Sequence, residues 1–213
     1  PDLKARWTLK LTYPGEWVAV SNGAPSQAGQ ITFWDGPAGS GSAVTATFAE
    51  TEPLSTYLFS FVVGDFKVET AERNGRTFHM FHRETDAAKV ARNKDAIFDL
   101  HARALAFMED YTGLPYAFGK FDFVAIPSFQ FGGMEHAGKV LYNASSLLLD
   151  ESATQNQYLG RASVISHETA HMWFGDLVTM RWFDDVWTKE VYANCFAARI
   201  VNPSFPALDH ELR

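Results

Sequence analysis

The chain has 213 residues, of which 46% are hydrophobic and 20% charged, a composition typical of a folded protein with an ordinary core. This composition excludes a disordered or collagen-like chain, and the net charge of −7 argues against a nucleic-acid-binding protein. No apolar stretch is long enough to cross a bilayer. The single cysteine, Cys195, excludes an internal disulfide and a cysteine-rich zinc site. Any bound metal must therefore be held by His, Asp or Glu.

The first sixty or so residues predict a β-rich region. Apolar and polar residues alternate from Ala5 to Tyr13, which is typical of a strand with one apolar face. A glycine- and serine-rich loop is predicted over residues 36–42. Further short strands are predicted over residues 17–20, 31–34, 44–48 and 58–63, the last one as a continuous apolar run that is fully buried. Strands at this spacing favour a sheet or sandwich.

The character of the chain changes after Gly64. Asn74-Gly75 predicts the turn of a hairpin between residues 67–70 and 77–82. An apolar run predicts a strand over 121–126, and the glycine-rich segment 130–138 predicts an extended edge or loop. Helical periodicity predicts three helices, over residues 86–111, 158–174 and 187–200.

One predicted helix carries the sequence His167-Glu168-Thr169-Ala170-His171. Two histidines four residues apart lie one turn apart on the same helix face, where both imidazoles can reach one metal ion. Glu168 would then lie beside the ion, against its bound water. Such a catalytic zinc needs a third protein ligand, and Glu190 follows on the next predicted helix. The alternative is that both histidines are ordinary helix residues, although the apolar surroundings favour a metal as their partner.

These residues resemble the aminopeptidase N family of zinc metallopeptidases, of the gluzincin type. The resemblance starts from the His167–His171 segment, the Met-Trp-Phe-Gly-Asp-Leu-Val-Thr-Met that follows it, and Glu190. It runs through the whole chain and also rests on Pro1-Asp2-Leu3-Lys4-Ala5, Ser21-Asn22, Ser55-Thr56-Tyr57-Leu58, Asp122-Phe-Val-Ala-Ile-Pro-Ser-Phe and Gly132-Gly133-Met134-Glu135-His136.

The resemblance implies a zinc-dependent aminopeptidase that removes N-terminal residues from peptides. It implies that His167, His171 and Glu190 are the ligands of one zinc ion. Glu168 is then the general base that activates the zinc-bound water. Zinc makes such a water a nucleophile near neutral pH and polarises the scissile carbonyl.

The resemblance also implies a substrate site for peptides with a free N-terminus. Glu135 would anchor the α-ammonium group of the substrate through charge-assisted hydrogen bonds. The backbone of Gly132 and Gly133 would line the substrate, because glycine allows close approach. The alternative is a solvated loop carboxylate, which is the commoner case for a lone Glu, but the surrounding glycines and aromatic residues favour the anchor role.

The implied fold is α+β. Residues 1–64 would be the end of a β-sandwich-like N-terminal domain, and residues 65–213 the first part of a thermolysin-like zinc catalytic domain. The chain begins inside an apparent motif, so it looks like a piece lacking both ends. The family's oxyanion-stabilising tyrosine and an upstream amine-binding residue would lie outside it. We therefore expect the 213-residue chain alone to be weakly active or inactive.

Three neighbours of the implied site depart from the family pattern. His136 stands where Asn is usual, Lys189 stands where Asn precedes the third ligand, and Val191 stands where Gly follows it. None removes a ligand, so these changes bear on substrate preference. The alternative functions are a leukotriene-hydrolase-like bifunctional enzyme, which also carries Gly-Gly-Met-Glu, and a non-catalytic relative that binds zinc without turnover.

Overall fold

The computed structural model describes residues 1–36 and 39–205 and combines helices with strands, so the predicted α+β class is confirmed. Five strands lie among the described residues up to residue 64: β1 (Leu9–Pro14), β2 (Val18–Ser21), β3 (Pro25–Gly36), β4 (Gly39–Phe48) and β5 (Phe61–Gly64). β4 pairs antiparallel with both β1 and β3 in a three-stranded sheet, and β2 pairs antiparallel with β5.

Two predictions for this region are wrong. The loop predicted over residues 36–42 is mostly strand, because antiparallel pairing between β3 and β4 continues as far as Gly36 and Gly39. The apolar run 58–63 is not one fully buried strand. It begins at the end of a short 3-10 helix (Thr56–Leu58). Phe61 at the start of β5 is 50% exposed, because Val62 packs on the neighbouring core and Phe61 points to the opposite face of the strand.

A five-stranded mixed sheet forms the centre of the remaining chain, in the order β6-β7-β8-β10-β9. Its strands are β6 (Lys67–Arg73), β7 (Arg76–His82), β8 (Asp122–Ile126), β9 (Gly133–Met134) and β10 (Lys139–Asn143). The predicted hairpin between β6 and β7 is confirmed, as is the edge position of β9. β10 was not predicted, because only the three middle residues of Lys139–Asn143 are apolar, which is too short a run to indicate a strand.

As far as residue 205, four α-helices follow or interrupt this sheet: α1 (Ala87–Thr112), α2 (Ala144–Leu147), α3 (Gln155–His171) and α4 (Val186–Val201). α1 and α4 confirm the prediction to within one residue. α3 begins three residues earlier than predicted, because Thr154 and Gln157 form a capping box there. It also ends earlier, at His171, where the chain turns back and the Asp176 N–H donates to the His171 carbonyl.

Alternate side chains of the central strands enter two different cores. On one face, Met80, Phe123 and Tyr142 pack with residues of α1, α3 and α4. On the other face, Phe81, Val124 and Leu141 pack against Val20 of β2 and the neighbouring Val62 of β5. Both faces of β8 are covered by other elements, which is why its apolar residues are buried on both sides of the strand.

Asn22 ties the β-rich part of the chain to the five-stranded sheet. Its Nδ2 donates to the carbonyls of Leu58 at 2.9 Å and Ala137 at 2.8 Å. A Cβ at Gly138, whose φ is +79°, would collide with the Asn22 main-chain oxygen, so this close approach requires glycine. This contact fixes the segment between β9 and β10, and β9 lies beside the candidate site.

Within the part of the chain that the structure describes, every helix is too short or too polar to cross a membrane.

Candidate metal centre

His167 and His171 lie one turn apart at the C-terminal end of α3, as the sequence predicts. Their Nε2 atoms face each other at a distance of 3.0 Å. His171 is buried, whereas the side chain of His167 is 18% exposed. The end of α3 therefore presents two imidazole nitrogens to one point at the margin of the core.

Glu190 completes this group from the first turns of α4. Its Oε2 lies 3.2 Å from His167 Nε2 and 3.5 Å from His171 Nε2. The helices approach here because they share an apolar interface in which Phe174, three residues after the end of α3, stacks on Phe196 of α4. The structure thus brings all three predicted metal ligands together.

The Nδ1 atoms of both imidazoles, which point away from the other ring, are hydrogen-bonded to acceptor oxygens. His171 Nδ1 donates to the Phe174 carbonyl at 3.0 Å, and His167 Nδ1 donates to Asn194 Oδ1 at 2.9 Å. Each Nδ1 thus carries the proton in the neutral ring, which leaves a lone pair on each inward-facing Nε2. Such hydrogen bonds orient histidines that bind metals.

The three inward-facing atoms fit a zinc ion. A tetrahedral zinc with bonds of about 2.0–2.1 Å holds its ligand atoms about 3.3 Å apart. The three observed separations, from 3.0 to 3.5 Å, bracket that value. The Lys189 ammonium lies 3.2 Å from Glu190 Oε1, the oxygen that faces away from the imidazoles, and favours the charged form of this carboxylate. A single proton can bridge only one pair of these three atoms at a time, whereas a divalent cation at the centre contacts all three.

Glu168 lies next to this triangle but outside it. Its side chain is buried, and burial raises its pKa well above the usual range. The carboxylate lies directly against the β9 backbone, where a Cβ built at Gly133 would lie 2.6 Å from Glu168 Cδ. Gly132 is different, because its Cβ would meet only Val164 Cγ2 at an ordinary 3.5 Å. Of the two predicted glycines, Gly133 is the one that the packing requires.

Glu135 follows β9 directly and is 3% exposed, so it is not the solvated loop carboxylate of the alternative interpretation. Glu135, Glu168 and His171 form a second group whose ligand atoms lie within 4.8 Å of one another. Burial opposes the charge on Glu135, but His171 and Lys189 outweigh it and lower its pKa. The Lys189 ammonium forms an ion pair with Glu135 Oε1.

Sequence reasoning missed two residues here. Tyr57 reaches the site from the β-rich part of the chain, and its ring centre lies 5.1 Å from Lys189 Nζ. Asp176 is fully buried, and its carboxylate oxygens have no hydrogen-bond partner among the described residues. Burial raises the Asp176 pKa well above its usual range. The resemblance included both positions, but no local pattern marks either as part of a site.

Comparison with known proteins identifies the family. Residues 97–212 match the peptidase family M1 domain, and the chain belongs to this family. It is 33% identical to the probable aminopeptidase 2 of Sulfurisphaera tokodaii over 94% of the chain and 24% of that protein. It is 36% identical to the aminopeptidase M1-C of Oryza sativa subsp. japonica over 97% of the chain, and 36% identical to the glutamyl aminopeptidase of Rattus norvegicus over 95% of it. The chain spans 22% and 20% of those two relatives.

The metal centre predicts different effects for ligand and non-ligand substitutions. His171→Ala should lower zinc content from about one ion per chain to near zero, because three protein ligands hold a catalytic zinc. Glu168→Gln should retain zinc, because its carboxylate lies outside the ligand triangle. The measurement is metal analysis after dialysis. His79→Ala is the matched control, since His79 bonds to Asp122, away from the site.

Zinc loss in Glu168→Gln to the same extent as in His171→Ala would contradict this assignment. Glu168 would then be a ligand, as the second group with Glu135 and His171 allows.

Proposed function

We propose that the whole protein is a zinc-dependent aminopeptidase. The observation that carries the proposal is the convergence of His167 Nε2, His171 Nε2 and Glu190 Oε2 beside two further buried carboxylates. The names of the relatives, which are aminopeptidases, support the same reaction. We further propose that residues 65–213 form the first part of a thermolysin-like catalytic domain, and that residues 1–64 end a separate β-sandwich-like domain.

The proposed reaction needs a water nucleophile and a proton carrier. When bound, zinc lowers the pKa of water and polarises the scissile carbonyl. Glu168 accepts the proton of the attacking water at a carboxylate oxygen and delivers it to the leaving nitrogen. The carboxylate is held for this role between α3 and the backbone of Gly133.

Glu135 supplies the exopeptidase specificity in this proposal. Its buried carboxylate lies close to both Glu168 and His171, so a substrate ammonium bound there places the first peptide bond next to the proton carrier. β9 is the outermost strand of its sheet among the described residues, and its edge offers backbone groups to an extended peptide. Weak activity of the 213-residue chain by itself stays a prediction.

The close contact of Gly133 with Glu168 predicts a sharp difference between two neighbouring glycines. Gly133→Ala should lower kcat by about 10² with zinc retained, because a displacement of roughly 1 Å in a catalytic group costs this much. Gly132→Ala, whose Cβ meets only Val164 at 3.5 Å, should stay within about tenfold of the parent. Rates on a leucine amide, together with metal analysis, test this in the whole gene product. Equal losses in both variants would show that the contact does not position Glu168.

The anchor role of Glu135 predicts selectivity for a free amino terminus. The whole gene product should cleave a leucine peptide faster than its N-acetylated form, because acetylation removes the charge that the carboxylate pairs with. Glu135→Gln should lower the ratio of the two cleavage rates, free over acetylated, by about tenfold or more, since a charged hydrogen bond is weakened. Glu151→Gln, at an exposed turn, is the matched control.

If the parent cleaves both peptides at one rate, the protein is an endopeptidase and the anchor role is wrong. If zinc is bound at full occupancy but neither peptide is cleaved, the protein is a non-catalytic zinc-binding relative.

A further inference from the structure

Lys189 occupies the space between the proposed amine anchor and the metal ligands. It directly precedes Glu190 on α4 and is only 8% exposed. Its ammonium contacts Glu135 Oε1 and also lies 3.2 Å from Glu190 Oε1. One lysine thus bridges the carboxylate that would bind the substrate amine and the carboxylate that would bind the metal.

The surroundings of the Lys189 ammonium are those of an ammonium-binding site. Two carboxylates lie beside it, and the face of Tyr57 is 5.1 Å away. Tyr57 is itself held by Phe183, whose ring packs edge-on at 6.1 Å. Carboxylates and an aromatic face together are the groups that recognise ammonium ions in proteins.

The protein therefore carries its own ammonium at the position where a substrate would bring one. Lys189 disfavours a second cation at Glu135, since like charges in one enclosed site repel each other. The Lys189 side chain has an alternative partner, because its contact with Glu190 Oε1 does not depend on Glu135. An incoming ammonium can thus displace Lys189 from Glu135 while Lys189 stays close to Glu190.

We propose that Lys189 is a specificity-determining residue that competes with the substrate ammonium for Glu135. It weakens the binding of free amines and so reduces the discrimination between free and blocked amino termini. This inference rests on the proposed function of Glu135 as the amine anchor. It assigns to Lys189 a role that the family resemblance does not, since Asn is usual at this position.

The test measures ligand binding without turnover. The whole gene product is depleted of zinc, and the Kd values of L-leucinamide and N-acetyl-L-leucinamide are measured by calorimetry. The proteins are the parent, Lys189→Met, Glu135→Gln and the double variant. Methionine keeps much of the length of the lysine stem and removes the charge. Lys94→Met is the matched control, because Lys94 pairs with Glu69 at the surface, away from the site. Circular dichroism verifies that each variant folds.

Lys189→Met should bind leucinamide about tenfold more tightly than the parent, since a charged contact no longer has to be displaced. Binding of the acetylated ligand should not change, and Glu135→Gln should remove the gain in the double variant. In the zinc-loaded protein, the same substitution should lower KM for a leucine amide more than it changes kcat.

A leucinamide Kd in Lys189→Met that is equal to or weaker than that of the parent would overturn the inference. Lys189 would then hold Glu135 in position rather than compete for it. If Glu135→Gln leaves the leucinamide Kd unchanged both in the parent and in the Lys189→Met protein, Glu135 is not the amine anchor. The proposed function of Glu135 is then wrong, whatever the role of Lys189.

Discussion

The convergence of three electron-rich atoms is the constraint on which the rest of this structure depends. His167 Nε2, His171 Nε2 and Glu190 Oε2 lie 3.0 to 3.5 Å apart, and the Nδ1 hydrogen bonds leave the inner nitrogens as acceptors. Such a triangle is unfavourable unless a cation occupies its centre. The apolar interface of α3 and α4 holds the three side chains in place, so packing energy opposes their separation.

The β-rich part of the chain contributes to the same site at longer range. Asn22 fixes the segment beside β9 through the Ala137 carbonyl, and Tyr57 covers the Lys189 ammonium. The ammonium of Lys4 donates to the main-chain oxygens of Asp176 and Leu177, just past the end of α3. The candidate site is therefore built from both parts of the chain. The charge balance within it depends on Lys189 and Glu135 as well as on the three predicted metal ligands.

Much of this site could be predicted from the sequence, because the two histidines and Glu168 belong to one helical turn whose geometry is local. The prediction of Glu190 as the third ligand required only the assumption that α4 packs on α3. The contact of Lys189 with Glu135 and Tyr57 could not be predicted, since it joins three distant segments through tertiary packing. The same limit explains the error at residues 58–63, where apolar residues indicated burial but Phe61 lies on the face of β5 opposite to the packed Val62. It also explains the missed β10, whose parallel pairing with β8 has no local signal.

Zinc K-edge absorption spectroscopy on the zinc-loaded chain tests directly whether His167, His171 and Glu190 bind one zinc ion. We expect one zinc per chain, with two nitrogen ligands at about 2.0–2.1 Å and carboxylate oxygen at about 2.0–2.2 Å. The two-imidazole signature should disappear in His171→Ala. A first shell of oxygen alone, or a sulfur at about 2.3 Å from the exposed Cys195, would contradict it.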